Sequence, residues 1–276
     1  MQPTLVVGPV VISTFVLSYV LAFAVGSLLA IRQGSRAGVD WRIVVDIVAW
    51  STVAGILGAK VYEVILHPAE LADLTWARFR SVGVVWYGGA IAGFASGAWR
   101  SARARLPLVA FFDLGAPVVA VGQVIGRIGC LLAGDDYGFS TSLPWGIALP
   151  NGAPPSSAGY LRASGDVIPR EIPNSQIMHV QPVMVYEAIG NALIAIFLWR
   201  RSHRAYRPWS NFALYCILYG TQRFVLEFMR PKDDRLSMGL TVAQLISLTL
   251  VLAGVSILVA QRNKAPRPIR EQLAAA

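Results

Sequence analysis

The sequence predicts an all-α integral membrane protein of about seven transmembrane helices with a small extracytoplasmic cap. Three observations carry that expectation. Of 276 residues, 55% are hydrophobic and only 14% charged, against about 25% charged in an ordinary soluble domain. Mean hydropathy is +0.55, and the apolar residues fall in runs that reach or approach the roughly 20 helical residues needed to cross a hydrocarbon core. The 24 basic residues, which against 15 acidic ones give a net charge of +9, punctuate those runs. A nucleic-acid binder would instead gather them over a polar face, so the bilayer is the expected partner and nucleic acid is not.

In chain order, the first run covers residues 5–31. No charge precedes it and it is too long for a cleavable leader, so it is expected to span. The second covers 44–66, the third 84–99, the fourth 107–133, the fifth 182–199, the sixth 211–228 and the seventh 239–260. The third and fifth are short, so their ends are the least defined. None has the period of two of a membrane β-barrel. Residues 134–181 are too polar to span and too long for a simple turn, with turn formers at 151–157, and read as a cap. The expected organisation is a four-helix membrane region at 1–133, the cap at 134–181, a three-helix membrane region at 182–261 and a basic surface tail at 262–276. No internal repeat supports a transporter of inverted halves.

Basic residues orient membrane proteins toward the cytoplasm. Arg32, Arg36, Arg42, Arg100, Arg103, Arg105, Arg200, Arg201, Arg204, Arg207, Arg262, Lys264, Arg267 and Arg270 fall on one side. The other side holds half as many, at Arg78, Arg80, Arg162, Arg170, Arg230, Lys232 and Arg235. The N-terminus is therefore expected outside, the C-terminus in the cytoplasm and the cap on the outer face.

Cys130 and Cys216 lie in or beside apolar runs, where single cysteines pack as small hydrophobes. His67, His179 and His203 form no metal-binding spacing with them, so no metal is expected.

Ionisable groups are costly in a bilayer, and they pair or serve function. The apolar runs carry Asp46, Lys60, Glu63, Asp113, Arg127, Glu187, Arg223 and Glu227. Lys60 and Glu63 share a helix face at i, i+3, which fits either a register-setting ion pair or a functional pair. Arg223, Glu227 and Arg230 form a stripe at i, i+4, i+7, continued by Lys232, Asp233 and Asp234, which fits either a register-setting ion pair or the lining of an outward-opening cavity. Arg127 sits in Gly126-Arg127-Ile128-Gly129, where glycines permit close approach. Two such arginines suit a phosphate, since guanidinium stays charged and forks onto phosphate oxygens. Tyr87, before Gly88 and Gly89, reads either as an interfacial aromatic or as a cavity residue.

These motifs resemble the prolipoprotein diacylglyceryl transferases, bacterial inner-membrane enzymes. The matching blocks run in order over nearly the whole chain. They are Gly8-Pro9-Val10, Gly58-Ala59-Lys60, Trp86-Tyr87-Gly88-Gly89, Asp113 with Ala116-Pro117, and Gly126-Arg127-Ile128-Gly129. Then follow 134–138, Leu143-Pro144-Trp145-Gly146, Pro182 with Tyr186-Glu187, Arg223 through Arg230, and Gly239-Leu240-Thr241 with Gln244.

The resemblance implies seven helices, an active site opening to the periplasmic side, and no metal or organic cofactor. It implies transfer of the diacylglyceryl group of phosphatidylglycerol to the lipobox cysteine thiol of a preprolipoprotein, forming a thioether and releasing glycerol 1-phosphate. Arg127 matches the arginine of the family signature, the one placed on the lipid phosphate, and Arg223 matches the family's essential late-helix arginine, with Glu227 and Arg230 matching its companions. Gly138 matches a signature glycine, and Asp135 stands where the family has glutamate. Tyr19, Lys60, Glu187, Gly88 and Gly89 complete the implied substrate-binding set. Tyr87 stands in place of a histidine, and Cys130 and Ala133 in place of asparagines.

The chemistry makes two demands, deprotonation of a thiol of pKa about 8.5 and stabilisation of charge on a leaving phosphate. Arg127 and Arg223 answer the second. For the first, the candidates are Tyr87 and the Asp135 and Asp136 pair. The competing reading is a relative that keeps the anionic-phospholipid cavity without the chemistry.

Overall fold

The computed structural model describes residues 4–7, 10–66, 86–231 and 239–274. Gly8, Pro9, His67, Arg78, Arg80, Val84, Lys232, Asp233, Asp234 and Arg235 lie outside the described residues.

The chain opens with an antiparallel hairpin, β1 (Thr4–Val7) and β2 (Val10–Ser13). Helices α1 (Thr14–Ala37), α2 (Trp41–Leu66), α3 (Trp86–Arg103) and α4 (Leu108–Ala133) follow. Next come β3 (Ile147–Ala148), the short helix α5 (Ala158–Ala163) and β4 (His179–Val180). The last helices are α6 (Val183–Arg201), α7 (Ser210–Glu227), α8 (Val242–Ala260) and α9 (Ile269–Ala274).

Two expectations are corrected here. The first apolar run does not begin its helix at Leu5, because its β-branched start, including Thr4, Val6, Val7 and residues 10–12, pairs as the hairpin. The second correction concerns the count. Of the long helices described, α1, α2, α4, α6 and α8 are long and apolar enough to cross a membrane. α3 and α7 are 18 residues each, and Arg100 and Arg103 on one and Gln222, Arg223 and Glu227 on the other lower their hydropathy.

Large apolar side chains point outward, among them Leu28, Val53, Ile91, Leu193 and Leu252, each more than half exposed. That inversion suits a lipid solvent, in which helices associate by close packing of small residues rather than by hydrophobic burial.

The structure forms two compact units, Met1–Gly26 with Gly115–Arg267, and Ser27–Leu114 with Pro268–Ala276. In the second, α2 and α3 interlock through glycines. A β-carbon on Gly88 would collide with the Tyr62 β-carbon and the Gly58 carbonyl, and one on Gly89 would lie 3.1 Å from the Gly55 carbonyl. Gly88→Ala is therefore expected to destabilise the protein by about 1–3 kcal/mol through overpacking, read as a lowered thermal midpoint in detergent. An unchanged midpoint would show that the helices part without cost. The tail at 262–274 is mostly exposed, with Ile269 and Gln272 buried and Arg270 Nε donating to the Arg36 carbonyl at 2.7 Å.

In the first unit, Ala116 and Ala120 of α4 pack with Ile194, Ala195 and Leu198 of α6 and Tyr215 and Cys216 of α7. Gly220 and Gly254 admit the facing helix, where added β-carbons would meet the carbonyls of Ser247 at 2.8 Å and Ala213 at 2.6 Å. Residues 134–181 fold over a small core of Tyr137, Leu149, Ala158, Leu161, Ile168 and Val180, continued by Met184. Its loops are pinned by Arg162, which donates to the carbonyls of Ile168, Pro169 and Ile172 and to Asn174.

Candidate active site

The first unit gathers three arginines and three carboxylates from α4, α6, α7 and the chain that follows α4 and α7. Arg127 lies near the C-terminal end of α4 and Glu187 near the N-terminal end of α6. Glu187 is 1% exposed and meets all three arginines. Its Oε2 lies 2.5 Å from Arg127 Nε and 3.0 Å from Arg230 Nη2, and its Oε1 lies 3.3 Å from Arg223 Nη1. Glu227, the last residue of α7, holds Arg223 Nη1 at 2.7 Å one helical turn away. Arg230 falls just beyond α7, yet the turn keeps it in the cluster at 2% exposure. Asp136 closes the ring, one oxygen toward Arg127 Nη1 and the other toward Arg230 Nη1.

The surrounding backbone explains why these groups stay in place. Thr241 caps α8, with reciprocal bonds between its side chain and backbone and Gln244, and its hydroxyl donates to Glu227 Oε1 at 3.2 Å. Gln222 donates to the Glu187 carbonyl at 3.1 Å. Gly138 donates to the Gln181 carbonyl at 2.9 Å, and Phe139 to the Met229 carbonyl at 2.9 Å. A β-carbon on Gly138 would lie 2.5 Å from that Met229 carbonyl, so only glycine lets the segment pass between the α6 and α7 ends. Gly134 and Asp136 both adopt left-handed backbone, at φ 71 and φ 59, which turns the chain back over Arg127.

Asp135 is partly buried beside the Cys130 thiol, and its Oδ1 is buried without a hydrogen-bond partner. Burial pushes its carboxyl above the usual aspartate range, opposed by a hydrogen bond with the Cys130 side chain and the pull of Arg127 and Arg230, while the Asp136 charge pushes the same way as burial. Tyr19 on α1 lies within electrostatic reach of Arg127, Asp135 and Asp136. Cys130 and Cys216 are free thiols, and Cys130 Sγ lies 3.7 Å from Arg127 Nη1.

Arg127, Arg223, Glu227, Arg230, Glu187, Asp135, Gly138 and Tyr19 thus share one unit. Lys60, Tyr87, Gly88 and Gly89 belong to the other, where Gly88 and Gly89 face α2. Sequence reasoning did not foresee Asp136 as an arginine partner, nor Gln222 and Thr241 as supports. A threonine followed three residues later by glutamine before an apolar run was a readable capping signal for Thr241. Nothing local signalled the other two.

Fold and site define a polytopic helical membrane protein with a carboxylate-balanced arginine cluster set among its helices. Comparison with known proteins narrows that class. The family model for prolipoprotein diacylglyceryl transferase matches residues 3–260. A phosphatidylglycerol–prolipoprotein diacylglyceryl transferase of Paenarthrobacter aurescens is 30% identical over 271 residues, covering 94% of this chain and 81% of that one. One from Streptomyces coelicolor is 28% identical over 266 residues, covering 94% and 78%. One from Xylella fastidiosa is 30% identical over 267 residues, covering 90% and 88%. The chain belongs to the prolipoprotein diacylglyceryl transferase family, as a multi-pass bacterial membrane protein.

Proposed function

We propose that the chain transfers the diacylglyceryl group of phosphatidylglycerol to the lipobox cysteine thiol of a preprolipoprotein. The observation that carries this reading is the convergence of Arg127, Arg223 and Arg230 on Glu187. The thiolate sulfur attacks the glycerol carbon that bears the phosphate. The carbon–sulfur bond forms as the carbon–oxygen bond breaks, and its electron pair leaves on glycerol 1-phosphate.

Negative charge grows on the phosphate as it departs, and preorganised guanidinium donors stabilise that charge more than they stabilise the bound lipid. The thiol proton passes to Asp135, whose burial raises its basicity toward what a general base needs. The distribution of basic residues supports an outside N-terminus, a cytoplasmic C-terminus and an arginine cluster opening toward the periplasm. Residues 134–181 then cover the site, and the lipobox segment enters beside them.

Purified protein in phosphatidylglycerol vesicles with a lipobox peptide is expected to yield thioether-linked peptide and an equal amount of glycerol 1-phosphate. Saturable lipid binding without release would favour the phospholipid-binding relative. A base works only when deprotonated, so activity is expected to fall as pH drops through the Asp135 pKa, above the usual aspartate range. Asp135→Asn is expected to lower kcat about a hundredfold and to remove that acid limb. A mutant profile that keeps the limb removes Asp135 as the base.

A further inference from the structure

The proposed substrate is an anion, and the cluster that would receive it is already balanced by anions of its own. Arg127, Arg223 and Arg230 face Glu187, Glu227 and Asp136. A phosphate added to those six, with Asp135 also within electrostatic reach of Arg127 and Arg230, would leave negative charge without a partner in a poorly solvated site, which is strongly unfavourable. One carboxylate has to give way.

The three are not equivalent. Glu187 and Glu227 stand on helices with side chains 1% and 0% exposed, and Glu227 is further held by Thr241. Asp136 stands on the chain after α4, in left-handed backbone at φ 59, with its side chain 31% exposed. Its oxygens bridge Arg127 and Arg230, one to each. That bridge uses the guanidinium donors that a phosphate needs. Gly138 and Phe139 are anchored to Gln181 and Met229 by backbone bonds, so Asp136 can leave without unravelling the segment behind it.

We propose that Asp136 is an internal stand-in for the lipid phosphate, competing for the Arg127 and Arg230 donors and so setting the affinity for anionic lipid. The proposal rests on the reading of the cluster as the phosphate site. It makes Asp136 a specificity-determining residue of opposite effect to the two glutamates.

Asparagine and glycine both accept left-handed backbone, so Asp136→Asn and Asp136→Gly remove the charge while keeping the turn. The full chain, purified in detergent, is titrated with short-chain phosphatidylglycerol, and KM for transfer is measured on the same samples. Both variants are expected to bind about tenfold more tightly, the scale of one charge-assisted hydrogen bond no longer traded away. KM falls by a similar factor, and Asp136→Glu returns toward wild-type affinity.

In the wild-type protein, amide exchange at residues 135–137 is expected to rise on adding phosphatidylglycerol, a readout that holds even where a variant fails to fold. Unchanged or weaker binding in the folded charge-removing variants, or exchange that stays level or falls, overturns the role of Asp136 alone. Absence of saturable phosphatidylglycerol binding in wild type and variants alike overturns the phosphate assignment and this inference with it.

Discussion

Arg223→Ala is expected to lower diacylglyceryl transfer by about 10²–10³-fold, the loss seen when one preorganised donor to a developing anion is removed. Arg223 Nη1 sits between Glu187 at 3.3 Å and Glu227 at 2.7 Å, so the helices aim it before substrate arrives. Removing it also leaves two nearly dry carboxylates with one cation fewer, and part of the effect will be on folding. Arg223→Lys separates the contributions, since it keeps a charge but loses the planar fork. It is expected to keep its fold by thermal unfolding in detergent while releasing glycerol 1-phosphate far more slowly than wild type. Arg127→Ala is expected to match Arg223→Ala, and Tyr87→Phe to cost less than either. Wild-type turnover in Arg223→Ala would sink the phosphate clamp.

Glu187→Gln is expected to be strongly damaging although it is isosteric. One carboxylate, 1% exposed, meets three guanidinium groups. Without its charge those cations repel one another in a site with little water to screen them. Breaking a buried ion network by removing one partner costs about 3–5 kcal/mol. The expected result is a markedly lower thermal midpoint together with about a hundredfold fall in kcat as Arg127 and Arg223 lose their aim. Glu187 acts through the arginines, so its signature differs from that of the more exposed Asp136, where charge removal is expected to raise lipid affinity. A Glu187→Gln protein with wild-type stability and kcat would show that the arginines are held by other contacts.

Much of the architecture was legible in the sequence. A run of apolar residues long enough to cross a bilayer is a one-dimensional signal, and α1, α2, α4, α6 and α8 follow it. Helical spacing placed Arg223 and Glu227 on one face, and their ion pair bears that out. The start of α1 was obscured because residues of the hairpin are as apolar as the helix after them, and hydropathy does not separate strand from helix. Gly88 and Gly89 beside Tyr87 are points of close approach, and the approach is that of α2. Sequence spacing shows that a neighbour comes near without showing which neighbour.

The sequence by itself determined which residues must leave water and which charges are too costly to leave unpaired in a bilayer. Both follow from transfer free energies that each residue carries wherever it sits. Only the tertiary structure decided the pairing. Arg127 meets Glu187 from a different helix, and Arg230 meets Asp136 across 94 positions of chain. The left-handed turn at Asp136 and the passage at Gly138 bring those partners to bonding distance. Coulomb attraction and hydrogen bonding depend on separation and direction in space, and neither is recorded along the chain.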